Sequence, residues 1–139
     1  MATYIVDNSV WWKAHRSAGI ARRLREIATQ DLIMTCPPQV LEYCHSARTG
    51  PDHQGHRDDM DAFLEASEHP DVQDVTSIQN ALWNNGHVRG AGPIDVHIAA
   101  YAMRNGATVP QLGSRLRPHR RRGRRFPARV PAGALTAGQ

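Results

Sequence analysis

Apolar positions over the first hundred residues recur with two periods, one of strands and one of helices. Thr3-Tyr4-Ile5-Val6 is a short β-branched and aromatic run of buried-strand type. Asp7-Asn8-Ser9 follows with short polar side chains that open helices by capping orphan amide groups. Val10, Trp11, Ala14 and Ala18 then fall at helical spacing, and Ile20 to Ala28 predicts a second helix. Ile33-Met34-Thr35 is a second strand, closed by Cys36-Pro37-Pro38, a proline pair suited to a helix entrance. Val40, Leu41 and Cys44 give that helix its expected buried stripe. Thr49 to Gln54 is turn-like, and Arg57 to Ser67 predicts a polar helix with Met60, Phe63 and Leu64 inward. Val75 to Trp83 predicts another helix. Pro93 to Arg104 predicts the last one, with Ile94, Ile98, Tyr101 and Ala102 on one side, and Ala107-Thr108-Val109 starts a strand. Alternating strands and helices imply an α/β fold with a parallel sheet covered on both faces.

The pattern stops after Val109. Residues 110–139 hold eight arginines, no acid and a solitary Phe126 among Pro, Gly and Ala. Such a segment cannot bury enough apolar surface to offset the entropy of ordering, so a domain over 1–109 and a disordered basic tail over 110–139 are expected. The tail also changes the meaning of the charge. The whole chain is formally +4, but with eight of its seventeen basic side chains in the tail, residues 1–109 hold nine against thirteen acids, a formal −4. A length of 139 residues suits one domain, and 40% apolar with 22% charged residues suits a soluble globular chain. The opening MATYIVDNSV has no basic stretch before an apolar core, and no apolar run is long enough for a bilayer. Neither a membrane span nor a secretory signal is expected. Two cysteines, Cys36 and Cys44, are then read as free thiols in the cytoplasm.

Three acids invite a chemical reading. Asp7 ends the first strand, Glu42 lies beside the apolar stripe of the third helix, and Asp95 falls in the first turn of the last one. Each has a plain alternative: a helix cap, a charge at the edge of a buried stripe, and a partner for the helix dipole. In a parallel α/β sheet, however, ligands bind outside the carboxyl ends of the strands, where Asp7 falls by construction. Carboxylates crowded there repel one another unless a cation sits among them, and hard oxygen ligands suit Mg²⁺ or Mn²⁺.

With these residues the chain resembles the PIN-domain ribonucleases, and among them the VapC-type toxins of toxin–antitoxin systems. The resemblance rests on Tyr4-Ile-Val-Asp-Asn-Ser-Val-Trp11, on Cys36-Pro-Pro-Gln-Val-Leu-Glu-Tyr43 with Ser46-Ala-Arg48, and on Gly92-Pro-Ile-Asp95 with Ile98-Ala-Ala100. Gly106-Ala-Thr-Val109 matches the strand that follows, so the likeness spans about residues 2–109 in order. It implies a three-layer α/β/α domain and a Mg²⁺-dependent (or Mn²⁺-dependent) endoribonuclease acting on an exposed loop of a transfer or ribosomal RNA. It also implies a cognate VapB-like antitoxin over the acidic cleft, and a homodimer. Asp7, Glu42 and Asp95 match three of the family's four catalytic and metal-holding acids, and Ser9 matches the hydroxyl that supports the first.

The fourth acid belongs to an Asp-x-Asp-Phe segment after the Thr108-Val109 strand, where this chain reads Gln111-Leu-Gly-Ser-Arg-Leu-Arg117. The codons CGA CTT CGA CCA CAT CGC CGN are permitted for Arg115 to Arg121, and read from the second base they encode Asp-Phe-Asp-His-Ile-Ala. The tail is therefore read as the product of a frameshift near Val109 to Ser114, in preference to an evolved basic arm. Two other functions stay open: an impaired remnant that still binds antitoxin, and a non-specific RNA binder using Arg117, Arg120, Arg121 and Arg122 on phosphates. Cys36, Cys44, His45, His53 and His56 lack the tight paired spacing of a structural zinc site. Asp58, Asp59 and Asp61 are expected on a solvated face, Trp83 in packing, and Trp11 and Trp12 with one toward the core and one toward a partner.

Overall fold

A computed structural model describes residues 1–87 and 91–110. The tail expectation, with Arg117, Arg120, Arg121 and Arg122, falls on residues 111–139, outside the described residues. The elements run β1 (Thr3–Ile5), α1 (Asn8–Ala14), α2 (Ala18–Gln30), β2 (Leu32–Thr35), α3 (Pro37–His45), α4 (Gly50–Asp61), β3 (Leu64–Glu65), α5 (Val72–Asn84) and α6 (Pro93–Arg104). The strands form one parallel sheet in the order β1-β2-β3, with Tyr4 opposite Ile33 and Met34 opposite Leu64. Thr108 adds a parallel bridge to Tyr4 on the free side of β1, its carbonyl accepting from Ile5 N at 3.0 Å.

Period-two alternation divides the interior into the two cores of a three-layer α/β/α domain. Tyr4, Val6 and Ile33 face a core built with Val10, Trp11, Trp12, Leu24, Tyr43 and Met60, under the helices α1 to α4. Ile5 and Met34 point the other way, onto Cys36, Ala66, Ile98, Tyr101 and Ala102, under α6. Helix α5 packs on α6 and contributes no buried residue. No described helix is long and apolar enough to cross a membrane.

Several sequence expectations need correction. The turn-like Thr49 to Gln54 is mostly helix. Thr49 Oγ1 accepts from Asp52 N at 3.1 Å and Pro51 sits in the first turn, so α4 opens at Gly50 and ends at Asp61. The chain beyond it is strand rather than helix, and Leu64 is 52% exposed instead of inward. On α3 the stripe turns by one position: Gln39 and Tyr43 are buried, whereas Leu41 is exposed. Both Trp11 and Trp12 are buried, Asp59 is buried rather than solvated, and Trp83 and Ile94 are largely exposed.

Candidate functional site

Helices that follow parallel strands begin at the carboxyl edge of the sheet, and this topology carries all three candidate acids to that edge. Asp7 lies two residues beyond β1, at the entrance to α1. Helix α6 feeds the Thr108 bridge, which runs parallel to β1, so its first turn and Asp95 stand at the same edge. Helix α3 leaves β2 there through Pro37, and Glu42 lies in its second turn. A helical Cβ leans toward the helix N-terminus, which tilts the Glu42 side chain back to the edge. Asp7, Glu42 and Asp95 are all half-buried.

The cap reading of Asp7 fails in part. Its backbone carbonyl accepts from Val10 N at 2.9 Å, yet its side chain makes no capping bond. Instead Ser9 Oγ donates to Asp7 Oδ2 at 2.6 Å, a short charge-assisted bond. Glu42 is not a mere rim charge either, since Asn8 Nδ2 donates to its Oε2 at 3.1 Å. The same Nδ2 donates to the Gln39 carbonyl at 3.1 Å, and Asn8 Oδ1 accepts from Gln39 Nε2 at 3.1 Å. Sequence reasoning missed Asn8 and Gln39 as site residues. No local signal marks them, because their contact joins residues 31 positions apart in the chain.

The expected crowding of three carboxylates is not assembled. Among the described residues no three His, Cys, Asp or Glu side chains form a group that could hold a metal ion. Ser9 bonds one oxygen of Asp7, and Asn8 bonds one oxygen of Glu42. The donor set still fits Mg²⁺ or Mn²⁺: it is all hard carboxylate oxygen, and Mg²⁺ commonly takes one or two protein carboxylates and fills its octahedron with waters and substrate phosphates. A preformed three-carboxylate cage is therefore not what this edge offers.

The thiols lie on the N-cap and second turn of α3. Cys36 and Cys44 are free and buried, and burial pushes the Cys36 thiol up to about 11 and raises that of Cys44. Both line a cavity of about 380 Å³ on the α4 flank of α3, with Val40, Leu41, Arg57 and Phe63. Asp7, Glu42 and Asp95 do not line it. Raised thiol pKa values make both cysteines poor nucleophiles at neutral pH.

No protein-family model matches the chain, and no curated protein matches it. A chain of the crystal structure of VapBC2 from Rickettsia felis, bound to a DNA fragment from their promoter, shares the fold. It aligns with a TM-score of 0.58 at 15% identity, covering 77% of this chain and 84% of that one. The domain is an α/β protein of PIN-like fold.

Proposed function

We propose that the chain is a VapC-type toxin of a toxin–antitoxin system, a Mg²⁺-dependent endoribonuclease whose working edge carries Asp7, Glu42 and Asp95. The observation that supports this reading is the placement of the three acids along one carboxyl edge of a PIN-like sheet, two of them bonded by neighbouring donors. Asp7 and Asp95 would hold the cation, with Glu42 completing the set or orienting a water. A bound Mg²⁺ supplies phosphoryl polarisation and neutralises developing charge. Ser9 keeps one oxygen of Asp7 in place, so the other side of the carboxylate has a fixed direction. Glu42, half-buried and bonded by Asn8, would accept a proton from water beside the scissile phosphate. The toxin reading carries a VapB-like antitoxin, a homodimer and an RNA loop as partners, and a cytoplasmic setting.

The test uses structured RNA with the full chain, in Mg²⁺ and in EDTA, beside Asp7→Asn. Cleavage that requires both Mg²⁺ and Asp7 is the expected result. Cleavage at the wild-type rate by Asp7→Asn would overturn the assignment. Antitoxin binding with no cleavage selects the impaired remnant, which the missing fourth acid favours. Metal-independent RNA binding that vanishes on removal of residues 110–139 selects the arginine tail as the functional part, which its eight arginines favour.

A further inference from the structure

Asn8 and Gln39 are each 1% exposed, among the most deeply buried side chains of the molecule, and both are polar. A fully apolar contact between α1 and α3 would fill the same space without hydrogen-bonding demands. The pair is not even fully satisfied: Gln39 Oε1 is buried with no hydrogen-bond partner among the described residues. An orphaned buried acceptor destabilises the fold, so stability alone does not account for these two amides.

Their geometry does. Two bonds to one residue fix the plane of the Asn8 amide, Nδ2 to the Gln39 carbonyl and Oδ1 from Gln39 Nε2, both at 3.1 Å. An sp² amide so held has its second Nδ2 proton pointing in one direction. Glu42 Oε2 sits there, at 3.1 Å. Gln39 and Glu42 are three apart on α3 and share a face, so one amide from α1 spans anchor and carboxylate together. Asn8 is also the residue next to Asp7, so any displacement of the α1 entrance moves both carboxylates as a unit.

We infer that Asn8 is a positioning residue, which with Gln39 as its anchor aims the Glu42 carboxylate at the edge occupied by Asp7. This rests on the reading of that edge as a divalent-cation site. Removing Asn8 frees Glu42 to swing toward solvent and lowers the affinity for the ion, although Asn8 itself touches no ion.

A double-mutant cycle on the full chain tests this, with Mn²⁺ as the probe and its binding followed by water-proton relaxation. The four proteins are wild type, Asn8→Ala, Glu42→Gln and the double variant. Asn8→Ala is expected to weaken Mn²⁺ binding by about ten-fold, the scale seen for groups that orient a metal ligand. In the Glu42→Gln background the same change is expected to have little further effect, because there is no carboxylate left to aim. An equal loss in both backgrounds would make Asn8 a structural tie between α1 and α3 and overturn the inference. Mn²⁺ binding that needs Glu42 but is untouched by Asn8→Ala would also overturn it, with the cation site left standing. No Mn²⁺ binding by the wild type would remove the cation site itself, and the inference with it. Where Asn8→Ala fails to fold, Asn8→Ser runs the same cycle with a smaller loss, since its hydroxyl keeps one donor in place of two.

Discussion

The two faces of the sheet are built to different standards. On the α1–α4 face, Trp12 stacks on Tyr43 with ring centroids 5.1 Å apart, His56 meets Tyr43 edge-on at 5.1 Å, and Trp11 packs on Phe63 at 5.4 Å. Tyr43 also donates to the buried Asp59 at 3.3 Å. On the other face, α6 buries a stripe against the sheet, but α5 lies outside it with no buried residue. Val72, Trp83 and Met103 are all largely exposed on that pair. Helix α5 is held at its N-terminal end instead, by an Asp71/Asp74 capping box and by Arg104, whose Nε donates to Asp74 Oδ2 at 2.8 Å. The contrast teaches where rigidity is spent in this fold. Asp7 and Glu42 are carried by the face with interlocked aromatic packing, whereas the outer helix depends on surface polar bonds that contribute little each.

The largest expected effect comes from breaking the well-packed face. Trp11→Ala is expected to cost about 3–5 kcal/mol in urea unfolding, the range for a buried aromatic truncated in a packed core. Trp83→Ala on α5 is expected to stay within about 0.5 kcal/mol, as exposed surface substitutions do. Comparable losses for the two variants would erase the distinction.

A middle-sized effect follows from the cap. Asp71→Ala removes the carboxylate that accepts from Asp74 N, one half of the capping box, and is expected to cost about 1 kcal/mol. Because α5 buries no residue, the loss is expected in the hydrogen exchange of α5 amides and not in the protection of β1 or α3. A uniform loss of protection across the domain would show that α5 is part of the cooperative core.

The smallest effect is pH-dependent. The backbone N–H of Asp71, and then the Arg104 guanidinium, hold the Asp74 carboxyl below its ordinary value. A depressed folded pKa gives stability that is fully present above the unfolded value and lost as pH falls through the folded one. Local protection of α5 is therefore expected to decline below about pH 4, the ordinary Asp range, and Asp74→Asn is expected to flatten that dependence. An unchanged acid profile in the variant would contradict the assignment.

The same contrast explains which elements the sequence made legible. Where one face of an element is buried and the other wet, the period is clean, and α6 runs from Pro93 to Arg104 as its spacing predicts. Helix α3 misled because its buried stripe includes Gln39, a polar residue whose burial depends on Asn8, 31 positions earlier in the chain. Trp12 misled in the same way, since its stacking partner Tyr43 belongs to a different helix. β3 is two residues long and both are exposed, so no periodicity marks it; pairing with Met34 and Thr35 makes it a strand. Of the candidate site, the three acids could be read from local position, and Ser9 from the family resemblance. The Asn8–Gln39–Glu42 linkage could not, because it exists only once α1 and α3 are packed.

Whether Asp7, Glu42 and Asp95 serve one cation is the central claim, and Fe²⁺-directed backbone cleavage tests it most directly. Fe²⁺ replaces Mg²⁺ at hard oxygen sites, and with ascorbate and peroxide it releases hydroxyl radicals that cut the chain within a few ångströms of the ion. The expected result is a set of cuts confined to the neighbourhoods of residues 7–9, 42 and 95, suppressed together by excess Mg²⁺ and lost together in Asp7→Asn. Cuts at only one of these segments, cuts elsewhere on the chain, or cuts that Mg²⁺ does not suppress would contradict it.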